Sequence, residues 1–158
     1  MLVVDAEEMV EVLADPALHR FTGGEPATLD ELGDRYRSLV RGSPRDTERW
    51  FNWIVRRRSD RAAIGTVQAT VMNPEQKPAA FVAWTIGVVW QRQGYATEAT
   101  VALLQWLAGH GVEEVVAHIH PDHVASAGVA TRAGLRPTAD VVDGEVVWRL
   151  PTPQGQSV

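Results

Sequence analysis

The run Gln91-Arg92-Gln93-Gly94-Tyr95-Ala96 joins a nearly continuous apolar stretch, Ala79–Val89, to a long amphipathic stretch, Thr97–His110. Where a strand turns into a helix, the first N–H groups of the helix have no partner in the helix and lie at the positive end of its dipole. Such a joint suits a pyrophosphate. Gly94 and Ala96 are small enough for phosphate oxygens to approach the backbone, and Arg92 adds a positive charge. The same small residues would also serve a tight connection that binds nothing, and spacing by itself does not separate the two.

A second group of reactive side chains lies downstream. His118 and His120 alternate along Glu114–His120, which reads as a strand, so they are expected on one face. A neutral imidazole can take a proton from an ammonium group near neutral pH, and either residue could also simply be packed. Ser126 opens the helix read over Ala125–Ala133, where a serine can cap the backbone or reach a ligand. His118, His120 and His123 could hold a metal, but the spacing fixes no third ligand, and no metal is expected.

Composition removes several function classes. The formal net charge is -5, which argues against nucleic-acid binding through a global basic field. There is no cysteine, so disulfides, thiolate metal sites and a cysteine nucleophile are excluded. Met1–Asp5 shows no basic segment leading into an apolar one, and no apolar run approaches the ~18 residues needed to span a bilayer. A cytoplasmic location is therefore expected, with neither membrane nor nucleic acid as partner. The basic turn Arg56-Arg57-Arg58 with Arg61 reads as solvated. Trp50, Trp53 and Trp84 read as core or as the lining of a groove.

These residues need elements to position them. Asp5 with Met9, Val10 and Leu13 predicts a first helix. Thr28 with Glu31 makes a capping-box pattern for a second, closed by Gly42. Trp50–Arg57 and Ala62–Met72 read as a hairpin about Ser59-Asp60, and Ala79–Val89 as a buried central strand. The helix over Thr97–His110 follows, then the strand Glu114–His120 and the short helix. Leu135–Val142 and Glu145–Leu150 form a hairpin over Asp143-Gly144. The order predicts one α/β (α+β) domain over residues 1–150, with a polar tail over 151–158.

The segment Gln91–Ala96, with its continuation Thr97-Glu98-Ala99, resembles the GNAT superfamily of N-acetyltransferases. The branch it is most similar to contains the ribosomal-protein N-terminal acetyltransferases. His123-Val124-Ala125-Ser126 and Arg132-Ala133-Gly134-Leu135 resemble that branch's Asn-x-x-Ser and helix-Gly-Phe pattern, and Ile64-Gly65 also fits. The resemblance implies a mixed, mostly antiparallel sheet flanked by helices, its first strand short or missing. It implies acetyl-coenzyme A as cosubstrate and an amine acceptor, either a protein N-terminus or a small molecule, attacking directly in a ternary complex. Many relatives are homodimers.

The resemblance also assigns roles. Gln91, Arg92, Gln93, Gly94, Tyr95, Ala96 and Thr97 would hold the pyrophosphate. A backbone N–H around Val88 and Val89 would hold the acetyl oxygen. His123 would lie beside the pantetheine, and Ser126 beside the departing thiolate. The departures are a histidine at 123 where the branch has Asn, Ala130 where many relatives carry a tyrosine acid, and Ala80-Phe81 where relatives carry Glu. They leave His118 and His120 as candidate bases, and they leave open a non-catalytic acyl-coenzyme-A-binding or dimeric interaction module of the same fold.

Overall fold

The computed structural model describes residues 1–151; most of the polar tail lies outside that range. A 3-10 turn, Val3–Asp5, leads into helix α1, Ala6–Val12. A second 3-10 turn, Pro16–His19, precedes α2, Leu29–Arg41. Strands β1, Glu48–Arg56, β2, Ala63–Met72, and β3, Ala79–Ile86, form a meander. A third 3-10 turn, Val88–Trp90, leads to α3, Tyr95–Gly109. Then come β4, Glu114–Ile119, α4, Val124–Ala133, and the hairpin of β5, Arg136–Val142, with β6, Glu145–Arg149. Among the described residues no strand precedes α1, and none of the helices is long and apolar enough to cross a membrane.

The local chemistry explains most of the boundaries. Thr28 and Glu31 form the expected reciprocal capping box at the start of α2. Asp5 does not cap α1 with its side chain; it accepts instead from Leu2 N–H and from Arg56, which also pairs with Glu8. Asp143 and Gly144 both take positive φ, the geometry a two-residue hairpin requires. β3 ends sooner than its apolar run, because Gly87 turns the chain into a 3-10 segment at Val88.

The six strands form one sheet in the order β1-β2-β3-β4-β6-β5. Every neighbouring pair is antiparallel except β3 with β4. Helices α3 and α4 pack on one face over the main core, which includes Val67, Val82, Leu104, Leu107, Ile119 and Leu135. Helices α1 and α2 cover the opposite face only near β1 and β2, around Met9, Leu32, Tyr36 and Ala63. The other face of β3 and β4 is left open, with Phe81 43% exposed on it.

Candidate active site

The parallel contact between β3 and β4 is short. It pairs Ala79, Ala80 and Phe81 with Glu114, Val115 and Val116, and then the strands part. β3 runs on to Ile86 along β2, while β4 runs on to Ile119 along β6. A wedge opens in the middle of the sheet. Gly87 N–H donates to Ile64 C=O at 2.9 Å, which fixes the alternation along β3. Odd-numbered residues exchange backbone bonds with β2, so Val82, Trp84 and Ile86 turn their N–H and C=O groups toward the wedge. The Gln91 side chain donates to the Ile86 carbonyl at 2.9 Å and so satisfies one of them. A buried edge of this kind requires partners, and a ligand with amide groups of its own would supply them.

At the wide end of the wedge stands the loop before α3. Arg92 and Gly94 have φ of 61° and 89°. That backbone turns consecutive N–H groups to one side. The N–H groups of residues 92–97 find no acceptor among the described residues; the first to do so is Glu98, which donates to Gly94 C=O at 3.0 Å. The row lies at the N-terminus of a 15-residue helix, an electropositive cradle for phosphate oxygens. Gly94 has no neighbouring atom within 4 Å of the position a Cβ would take. Gln93 donates to Val89 C=O at 3.3 Å, so both glutamines brace the loop rather than face the cradle. Arg57 lies 4.5 Å from the Trp90 ring centroid and pairs with Asp60, tying the β1–β2 turn to the loop. The Arg57 guanidinium holds the Asp60 carboxyl down at about 2.

The sequence-predicted residues do not all meet. Val88 and Val89 lie in the turn past the end of β3, beyond the residues that face the wedge. Val89 is 78% exposed. His118 and His120 do not form a pair, because β4 ends at Ile119. His118 stands where the strands part, half-buried and edge-on to Phe81 at 5.6 Å, on the face away from α3. Its ring makes no hydrogen bond among the described residues. His120 Nδ1 accepts from Asp122 N–H at 3.1 Å. In the neutral ring the proton is then on Nε2, so neither nitrogen offers a free lone pair. This geometry argues against His120 as the base.

Ser126 is not the cap of α4. That position belongs to His123, whose Nδ1 accepts from Ser126 N–H at 3.5 Å. The Ser126 hydroxyl has no partner among the described residues and remains available to a ligand. Ala130 is fully buried in the main core, so a tyrosine there would have no room. Sequence reading did not single out Ile86 or Phe21, and it marked Trp84 only for its ring. Trp84 and Ile86 present backbone groups to the wedge. Phe21 stacks on His123 with centroids 4.3 Å apart and lies 5.3 Å from His120. Among the described residues no group of three or more His, Cys, Asp or Glu is placed to hold a metal.

The cap on α4 carries a pH prediction. Desolvation first, and the neighbouring His120 second, hold the His123 imidazole below the ordinary histidine value. The unfolded chain therefore binds the proton more readily. The stability this residue contributes is complete above about 6.5 and is lost as pH falls from there through the lower folded value. Protonation also removes the Nδ1 acceptor. His123→Asn keeps a capping side chain that does not titrate. Loss of a cap costs about 1 kcal/mol, or about 2–4 °C in a domain of this size. Thermal melts at about pH 7.5 and about pH 5 should show the wild type losing that much more than His123→Asn. Equal losses would remove His123 from the pH response.

A mixed sheet split between two parallel strands, with an anion cradle at the wide end of the split, defines a class of enzymes built to hold an extended acyl-thioester carrier. The family model described as acetyltransferase (GNAT) domain matches residues 3–136. The chain belongs to that family. A comparison with the curated proteins found no match. Among solved structures, the fold is shared with the aminoglycoside acetyltransferase AAC(6')-Ib in complex with coenzyme A and kanamycin, at 17% identity and TM-score 0.75, over 98% of this chain and 92% of that one. It is shared with a protein from Vibrio cholerae provisionally named a ribosomal-protein-serine acetyltransferase, at 21% identity and TM-score 0.72, over 97% and 91%. The microcin C7 self-immunity acetyltransferase MccE, in complex with acetyl-CoA and AMP, matches at 14% identity and TM-score 0.74, over 93% and 87%.

Proposed function

We propose that this chain transfers an acetyl group from acetyl-coenzyme A to a primary amine, by direct attack in a ternary complex. The observation that carries the reading is the alignment of two features: the free backbone edge of Val82, Trp84 and Ile86, and the open N–H row of residues 92–97 at its end. A pantetheine arm would lie along the edge as a surrogate strand, with its pyrophosphate in the cradle. Tyr95, Ala96 and Thr97 N–H groups, with those of Arg92, Gln93 and Gly94, would receive the phosphates. The acetyl oxygen would accept from Trp84 or Ile86 N–H, in place of the Val88 donor expected from sequence. A preorganised donor of this kind is worth about 2.7–4 kcal/mol of barrier.

His118, on the open face beside Phe81, would take the ammonium proton. Ser126 Oγ, free of partners in the first turn of α4, would donate to the thiolate as it leaves. Ser126→Ala should then lower kcat by about tenfold or more while changing the Kd for acetyl-coenzyme A little; an unchanged kcat would remove it from the mechanism. The acceptor is a peptide N-terminus or a small-molecule amine; an aminoglycoside acetyltransferase and a protein provisionally named a ribosomal-protein-serine acetyltransferase share the fold. A cytoplasmic enzyme, alone or as a homodimer, is part of the same reading.

The buried Ala130 and the engaged His120 Nδ1 support a second reading, a non-catalytic acyl-coenzyme-A-binding module. Thiol release from acetyl-coenzyme A decides between the two. Release that depends on an amine, with kanamycin and a serine-initiated peptide among the amines tried, supports catalysis. Tight cofactor binding with no amine-dependent release across the set supports the module.

A further inference from the structure

The basic turn between β1 and β2, expected to be solvated, is instead tied down at two of its arginines. Arg56 donates to Arg61 C=O at 3.0 Å and pairs with Asp5 and Glu8. Arg57 N–H donates to Ala62 C=O and Arg61 N–H donates to Arg57 C=O, both at 2.9 Å, so the turn is closed on itself. The Arg57 guanidinium grips both oxygens of Asp60, with Nε donating to Oδ1 at 3.0 Å. The same guanidinium lies over the Trp90 ring, 4.5 Å from its centroid. Asp60 first, and the Tyr95 side chain as well, hold its charge more firmly than in an ordinary arginine. Arg57 thus reaches both flanks of the cradle. Trp90 precedes the free N–H row of residues 92–97, and Tyr95 lies within it at the first position of α3.

Between those two points the loop is exposed and its own braces are local. Gln91–Gly94 face solvent, with Arg92 and Gly94 at positive φ. The Gln91 and Gln93 side chains reach back only to Ile86 and Val89, on the loop's own approach. Free N–H groups hold no shape by themselves, and a ligand that must first order them binds more weakly. We propose that Arg57 is a positioning residue for the cofactor: from the β1–β2 turn it clasps Trp90 and Tyr95 and so holds the N–H row of the phosphate cradle in its binding geometry. The inference rests on acetyl-coenzyme A occupying that cradle. A guanidinium committed to a carboxylate on one side and a ring on the other acts through the loop rather than on a phosphate.

Calorimetry tests this with coenzyme A and with pantetheine, which has the arm but no phosphate. Arg57→Gln should weaken coenzyme A about tenfold or more and leave pantetheine unchanged. An equal loss for both ligands, or no loss for coenzyme A, would overturn the proposal. Direct contact between Arg57 and a phosphate would give the same first result, so a double-mutant cycle with Trp90→Leu separates the two. If Arg57 acts through the loop, Trp90→Leu weakens coenzyme A as well, and the double variant loses far less than the product of the two fold-changes. Losses that multiply in full, or a Trp90→Leu that binds normally, would also overturn it. If the wild type fails to bind coenzyme A, the cofactor reading falls and this one with it. Wild-type binding with an unaffected Arg57→Gln sinks this proposal alone. Thermal melts report whether each variant is folded. Should Arg57→Gln not fold, Arg57→Lys, which keeps the charge but not the fork to Asp60, carries the same comparison with the same direction expected.

Discussion

Gly94→Asp is expected to weaken acetyl-coenzyme A binding by at least an order of magnitude, about 1.4 kcal/mol or more. Two effects combine. At φ of 89° a side chain costs about 1–2 kcal/mol of backbone strain, which acts on the loop whether or not ligand is present. The carboxylate then stands at the one place where six free N–H groups await a negative charge, and it would occupy or repel the pyrophosphate. The space around the missing Cβ is open, so the variant should fold. Gly94→Ala separates the two effects: it carries the strain without the charge and should lose much less affinity. Calorimetry on both variants checks the claim. Normal binding by a folded Gly94→Asp would move the pyrophosphate elsewhere.

His118→Gln is expected to slow turnover by roughly 10²–10⁴-fold, the range for a positioned general base. Gln keeps hydrogen-bonding capacity and approximate size but cannot accept the proton. The acid limb of the kcat/KM profile should flatten with the rate. His120→Gln should leave that limb in place, because the His120 Nδ1 lone pair is committed to Asp122 N–H. If His118→Gln keeps the wild-type rate and profile, the enzyme binds an amine that is already neutral, and no imidazole belongs in the mechanism.

The loop proposed to hold the pyrophosphate stood out in sequence because such a site depends on side-chain size. Gly94 and Ala96 announce a backbone that something must approach, and Gln91 has a defined task at the Ile86 carbonyl. The helices and the hairpin over Asp143-Gly144 were legible through caps and turn residues, which act locally. The end of β3 was not, since Val88 and Val89 continue the apolar run and only the packing of Gly87 against Val12 shows why the chain turns. The donors of Trp84 and Ile86 leave no side-chain mark, because what exposes them is the departure of β4, a property of the whole sheet. The pairing of His118 with His120 followed from strict alternation, which fails where the strand stops at Ile119. Ser126 looked like a cap because serine caps well; His123 takes that place through a ring nitrogen, a contact that propensity does not suggest. Phe21 could not be found from sequence at all, since its partners lie about a hundred residues away.

The most direct test of the account is a crystal structure of the protein with acetyl-coenzyme A. It should show the pantetheine arm between β3 and β4, the pyrophosphate on the N–H groups of residues 92–97, and the acetyl oxygen within hydrogen-bond distance of Trp84 or Ile86 N–H. A cofactor bound outside the wedge, with those N–H groups left to solvent, would contradict it.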